Sequence, residues 1–259
     1  MKKNRSSIRE FFKEYALLLK SVPPLMMTLF VTSVVGMNLL ANKSIVNLSW
    51  LALDAGILLS WLSFLTMDII TKRFGPRAGI MISVVALLVN LLFALIFFIV
   101  SIVPGFWSQS YVEGSESVIN NAIDGTFRGT WYILLGSSIA FIVSAVVNCL
   151  LNFAIGQAFK KNPDSFVAFA LRAYVSTAIG QFIDNLLFAL IVSHFFFGWT
   201  ILQCVMCALT GMVAELLFEI IFSPIGYFSL RKMEKEGCGQ EYLDYIKNKK
   251  EVINDESTH

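Results

Sequence analysis

AGIMISVVALLVNLLFALIFFIVSIV, residues 78–103, runs for 26 positions without a charged side chain. A helix rises about 1.5 Å per residue, so roughly 20 apolar residues cross the ~30 Å hydrocarbon core of a bilayer. A run this long and this apolar reads as a membrane span rather than a buried helix of a soluble domain. Five further runs are comparable: Val22–Ala41, Trp50–Ile70, Trp131–Ile155, Phe166–Phe197 and Thr200–Leu230. The whole chain agrees, with 56% hydrophobic and 15% charged residues against about 25% charged in soluble domains. The expected fold is all-α, a polytopic membrane protein of six transmembrane helices. The last two runs exceed the bilayer, and Gly180 and Pro224 are the natural bends.

The basic residues are sorted along the chain. Seventeen lie before the first run, between the second and third, between the fourth and fifth, or after the sixth; only Lys43 and Arg128 lie in the opposite connections. Positive charge stays on the cytoplasmic side, so both termini are expected there. This divides the chain into a basic cytoplasmic segment at 1–21, a six-helix transmembrane domain at 22–230 with an outward loop at 104–130, and a cytoplasmic polar tail at 231–259 that frays from helix into disorder. The N-terminus is basic and then apolar but carries no small-residue cleavage site, so the first span is read as retained. The location expected is the plasma or inner membrane, with the lipid bilayer as the surrounding partner.

Several function classes drop out. A net charge of +2 gives no global field for nucleic acid. There is no P-loop, dinucleotide fingerprint or HExxH, and the two histidines, His194 and His259, have no nucleophile at a recognisable spacing. We therefore expect no enzyme, cofactor or metal. Cys204 and Cys207 spell CxxC inside an apolar run without a second ligand pair, which reads as small packing residues.

What remains is polar residues inside the membrane. In "RAYVSTAIGQFIDNLLF", residues 172–188, a helical turn of about 100° per residue puts Thr177, Gln181, Asp184 and Phe188 within an arc of about 60°. Arg172 points the other way and can extend to the headgroups as an anchor or ion-pair partner. Trp50, Asp54, Trp61 and Asp68 would form a second stripe, with Asp54 at the outer interface; Glu215 and Glu219, four apart, share a face. A carboxylate at mid-membrane costs about 2.5–3.5 kcal/mol and survives where it pairs, meets water or binds a ligand. Asp184 with Gln181 reads as a functional site. For Asn148 and Asn152, interhelical hydrogen bonding is an equal reading, and Trp61 either packs or stacks on a planar ligand. "AVVNCLLNFAI" (145–155) echoes "QFIDNLLFALI" (181–191), aligning Asn148 with Asp184.

Three stretches, "LLANKSIVNLSWLALDAGILLSWLSFLTMDIITKRFGPRAG", "SSIAFIVSAVVNCLLN" and "LRAYVSTAIGQFIDNLLFALIVSHFFFG", taken in this order resemble the VUT family of vitamin-uptake-like membrane proteins. Characterised members of that family import queuosine precursors, which are deazaguanine bases salvaged for tRNA modification. The resemblance covers roughly residues 39–227, and its sharpest element is Arg172, Ser176, Gln181, Asp184 and Phe188. It singles out Asn42, Asp68, Gly75, Ser176, Gln181, Asp184 and Phe188. It departs at Asn148, where the family usually has aspartate, and at Ala214–Glu215, where a lysine is common. The resemblance implies a planar, nucleobase-like substrate. Asp184 would accept its donors, Gln181, Asn148 or Asn42 would meet its carbonyl, and Trp61 or Phe188 would supply a ring face. Glu215, Glu219 or Asp68 would carry a coupling proton or cation. Two mechanisms fit: a standalone importer working by alternating access, or a substrate-binding subunit of an ATP-energised system that docks through small residues such as Ala52 and Gly56.

Overall fold

The computed structural model describes residues 2–107, 113–159 and 166–257. Lys160 and Lys161, which enter the charge count, and His259 lie outside the described residues. The elements are α1 (Lys2–Ser21), α2 (Pro24–Leu40), β1 (Ser44–Asn47), β2 (Ala52–Asp54), α3 (Ile57–Phe74), α4 (Pro76–Ile102), α5 (Glu116–Ala158), α6 (Phe166–Phe188), α7 (Phe195–Phe197), α8 (Ile201–Lys235) and α9 (Gln240–Ser257). A π-helical turn, Ala189–His194, joins α6 to α7.

Among the described residues, four helices are long and apolar enough to cross a membrane: 76–102, 116–158, 170–197 and 201–235. The pair Ile8–Ser21 and Pro24–Leu40, bent by 102°, makes a fifth if counted as one span. The remaining apolar helix is α3, whose 18 residues include Asp68, Lys72 and Arg73. Those charges are tolerable because α3 is central. It packs against α2, α4, α5, α6 and α8, and Ser63 through Thr71 are buried without a break. The largest apolar core gathers Phe30 and Val34 of α2, Phe64, Met67 and Ile70 of α3, Ile82 of α4 and Phe141 of α5.

The second expected span begins later than its apolar run. Residues 44–54 form an antiparallel hairpin, and α3 starts at Ile57. The reason is local: Asp54 Oδ1 accepts the Gly56 N–H at 2.7 Å, an aspartate turn that competes with helix at this point. Trp50 and Asp54 therefore leave the helical stripe expected for them, and Trp50 is exposed. The small residues proposed as a docking face turn inward. Ala52 is fully buried, and a Cβ on Gly56 would lie 2.8 Å from the Met37 carbonyl of α2. Pro224 sits inside an uninterrupted α8, and α6 leaves α geometry at 189–194 rather than at Gly180.

α5 and α6 pack antiparallel along a seam in which partners step by four residues in opposite directions. Gly136 abuts Val192, Ser144 donates to Asp184 at 2.9 Å, Asn148 abuts Gly180, Asn152 meets Ser176 at 3.4 Å, and Gly156 abuts Arg172. Small residues on such a ridge let two helix backbones approach closely. In this register Asn148 stands opposite Gly180, one turn from Asp184.

Both chain ends lie on one face. α1 packs against α9, and fully buried Glu14 receives Arg77 Nε of α4 at 2.9 Å and Lys249 Nζ of α9 at 2.7 Å. Tyr15 donates to the Met81 carbonyl, and Arg73 donates to the Cys238 carbonyl at 2.9 and 3.1 Å. Burial, then the Glu14 charge, pushes the Tyr242 hydroxyl up to about 12, so it stays protonated in its site. The tail expected to fray instead continues as helix, turns through Gly237 and Gly239 in the left-handed region, and docks under the bundle. Much of the stretch expected to be loop, 104–130, is helical, because α5 already begins at Glu116.

The seam generates a stability prediction. A Cβ at Gly180 would lie 3.1 Å from Asn148 Cβ and 3.0 Å from Phe64 Cε1. Gly180→Leu should destabilise by about 1–3 kcal/mol through overpacking. Gly125→Ala, where nothing lies within 4 Å, should be neutral or stabilising. Thermal unfolding of the purified variants in detergent distinguishes the two outcomes.

Candidate functional site

Two polar layers lie one above the other between the helices. The outer layer walls a cavity formed by α2, α3, α5, α6, α8 and the residues just before α3. Its polar residues are Asn38, Asp54, Ser60, Ser137, Asp184, Asn185 and Glu215, and Met37, Ile57 and Phe188 supply apolar wall. The cavity volume is about 40 Å³. The space between the walls holds no more than a few waters.

Its hydrogen bonding is lopsided. Glu215 accepts from Ser60 and, at 3.2 Å, from Asn185 Nδ2. Asp184 Oδ1 accepts from Ser144, Asp54 Oδ1 from the Gly56 N–H, and Asn38 Oδ1 from Ser137. Asn38 Nδ2 is committed to the Val34 carbonyl at 2.9 Å. The donors of the wall thus point at the wall. Three carboxylates face one space, and the lining contains no lysine, arginine or histidine. Such a site takes ligands rich in N–H donors.

A vestibule adjoins the cavity on the hairpin side and shares Ala41 and Asp54 with it. Asn42, Ser44, Asn47, Ser193, Phe197 and Trp199 complete its lining, around a volume of about 200 Å³. Its floor is held by His194 Nδ1–H donating to the Trp199 carbonyl at 2.6 Å and by the Thr200–Gln203 capping box that starts α8. Gln203 Nε2 also donates to the Leu48 carbonyl at 2.9 Å, tying the hairpin to α8.

The inner layer lies toward the face that carries the chain ends. Asn148 Nδ2 donates to Asp68 Oδ1 at 2.9 Å, and Lys72 Nζ lies 4.0 Å from Asp68 Oδ2 with its side chain only 2% exposed. Arg172 donates to Asn152 through its backbone carbonyl at 3.2 Å and its Oδ1 at 3.3 Å. Glu219 faces Asp68 and Thr177. Asp68 Oδ2, Asn148 Oδ1, Thr177 Oγ1, both Gln181 amide atoms and both Glu219 oxygens are buried without a hydrogen-bond partner.

The residues expected to form one site are therefore divided. Asp184, Phe188 and Glu215 line the outer cavity, and Asn42 lines the vestibule. Asp68, Asn148, Ser176 and Glu219 belong to the inner layer, and Gln181 is fully buried on α6. Trp61 belongs to neither. Its ring stacks on Phe222 and Phe218 of α8 with centroids 4.4 and 5.8 Å apart, which is the packing reading. Asp54, expected only at the interface, is a wall residue. The sequence reading missed Asn38, Ser60 and Ser137; Asn38 was visible as the lone amide in the run 24–40, whereas the serines had no distinguishing signal. It also missed Lys72 as a site residue, although its spacing of four from Asp68 marks a helical ion pair.

The architecture is that of a polytopic helical membrane protein with buried polar layers between its helices. The comparison with protein families assigns it more narrowly: residues 54–229 match the family described as "Putative vitamin uptake transporter". The chain belongs to that family, and the matched region starts at Asp54 on the cavity wall and contains both polar layers except for Asn38. Comparisons with curated proteins and with solved structures found no match.

The wall geometry predicts how Asp184 is held. Ser144 is its hydrogen-bond donor on α5. Ser144→Ala should leave the fold intact and weaken solute binding about 3- to 10-fold, the effect of losing one positioning hydrogen bond of ~1 kcal/mol. Binding measured by scintillation proximity on the purified protein checks this.

Proposed function

We propose that this protein imports a queuosine precursor, a deazaguanine base, across the plasma or inner membrane by alternating access through the outer cavity. The observation that carries the reading is the convergence of Asp54, Asp184 and Glu215 on one small space without a basic side chain. A deazaguanine presents ring N–H groups and an exocyclic amine, and carboxylates accept such donors with charge-assisted hydrogen bonds. Phe188 offers a ring face, while Met37 and Ile57 complete a cleft suited to a flat ligand. The family description fits an uptake function.

The roles follow from position. Asp184 reads the donor edge, Glu215 and Asn185 meet the opposite side, and Phe188 stacks. Asn42 and the hairpin receive the solute in the vestibule. Gln181, Asn148 and Ser176 face the solute only after it has moved inward. A two-ring base exceeds the space now open, so entry requires the helices beside the hairpin to part and exit requires the inner layer to open. The shared face of α1, α9 and the α3–α4 turn, with its lysines and arginines, is the cytoplasmic one in this reading, which places both termini in the cytoplasm.

The test is uptake of a labelled 7-deazaguanine precursor by cells whose own importer is deleted, expressing this chain without added ATPase subunits. The parent should accumulate the label. Asp184→Asn should reduce uptake about 10- to 100-fold at equal membrane abundance, as expected for a lost charged hydrogen bond worth about 1.5–3 kcal/mol. Uptake that requires an ATPase partner would favour the energised-subunit mechanism instead.

A further inference from the structure

The inner layer contains a pair of carboxyl groups for which solute recognition in the outer cavity provides no role. Asp68 and Glu219 come from different helices, α3 and α8, and meet in the same buried space. Their surroundings differ. Asp68 has an amide donor from Asn148, an ammonium from Lys72 at 4.0 Å, and the charge of Arg172 from beyond Asn152. Glu219 has the Thr177 hydroxyl and Asp68 beside it and Lys72 further off, and both of its oxygens, like Asp68 Oδ2, are without a hydrogen-bond partner. Two carboxylates in contact do not both remain ionised in a buried site; one proton is shared between them, and it resides on the less supported member. Here that member is Glu219.

Glu219 is also placed to exchange that proton. Glu215 lies one turn earlier on the same face of α8, about 6 Å away along the axis, and lines the outer cavity. Thr177, Gln181 and Asp184 run alongside on α6. Gln181 is fully buried on α6 with both amide atoms unpartnered, and Asn148 Oδ1 and Thr177 Oγ1 are likewise unpartnered. On the other side, Lys72 stands next to Arg73 at the end of α3, which is bonded to the Cys238 carbonyl on the face of the chain ends. Among the described residues no three His, Cys, Asp or Glu side chains approach closely enough to hold a metal ion. The buried ammonium of Lys72 would itself repel one.

We propose that Glu219 is the proton-binding site of this transporter, loaded from the outer cavity through Glu215 and discharged toward the cytoplasmic face beside the Asp68–Lys72 pair. One proton crosses with each solute molecule. The coupling rests on the importer reading above, but proton binding itself does not.

Two measurements on the reconstituted full-length protein separate them. Infrared titration without solute should show a buried carboxyl band that Glu219→Gln removes and Glu219→Asp retains. A band unchanged in Glu219→Gln overturns the proposal. In proteoliposomes, an inward gradient of one pH unit should drive about tenfold accumulation of labelled 7-deazaguanine by the parent, since one unit is about 1.4 kcal/mol per proton. Glu219→Gln should equilibrate the label without accumulating it. Accumulation that survives Glu219→Gln also overturns the proposal. If the parent does not take up the label, the deazaguanine assignment falls and the infrared titration alone decides the proton site.

Discussion

The buried pairing of Asp68 with Asn148 and Lys72 at the inner end of α3 is the constraint around which the bundle is organised. A carboxylate and an ammonium each cost about 2.5–3.5 kcal/mol at the centre of a bilayer, so a helix carrying both cannot face lipid. It is stable when other helices surround it and supply polar partners. That is the position of α3, which touches five other helices and is buried without a break through residues 63–71. Asn148 from α5, Glu219 from α8 and, through Asn152, Arg172 from α6 converge on this end. The lipid-facing helices can then be almost wholly apolar, as residues 78–103 are.

The packing of α5 on α6 follows from the same economy. Gly136, Gly156 and Gly180 bring the two backbones together, and the polar residues between them, Ser144 and Asn152, meet Asp184 and Ser176. Helices in lipid gain little from apolar contact with one another, because lipid chains are equally apolar; close backbone approach and interhelical hydrogen bonds provide the association. The four-residue step along this seam also decides which layer each polar residue enters. Ser144 with Asp184 belongs to the outer cavity, and Asn152 with Ser176 belongs to the inner layer. About two turns of each helix separate these two pairs.

The chain ends add a third layer on one face. Glu14, fully buried, joins α1 to the start of α4 and to α9 through Arg77 and Lys249. Arg73 holds the turn before α9. Because Arg73 and Lys72 are adjacent at the end of α3, the inner polar layer and the docked C-terminal helix share one mechanical connection. The hairpin and its bond from Gln203 occupy the other end of the bundle.

Much of this was legible in the chain itself. Runs of apolar residues define the membrane helices, because the hydrocarbon thickness sets their length regardless of neighbours. The face shared by Thr177, Gln181, Asp184 and Phe188, and that shared by Glu215 and Glu219, follow from helical periodicity alone. The turn at Gly75–Pro76, with φ at +91°, was marked by residue type. Tertiary structure decided the rest. Periodicity places side chains on a face but cannot say which helix meets that face, so Asp184 reached the outer cavity and Asn148 found Asp68. Trp61 had the composition of a ligand platform until Phe218 and Phe222 covered it. Residues 44–54 are apolar enough to continue a helix, and the Asp54 turn with strand pairing ended it. Lys72 looked like a topology marker because charge sorting counts a lysine by its place in the chain. Its burial beside Asp68 depends on five surrounding helices, which only the packed bundle brings together.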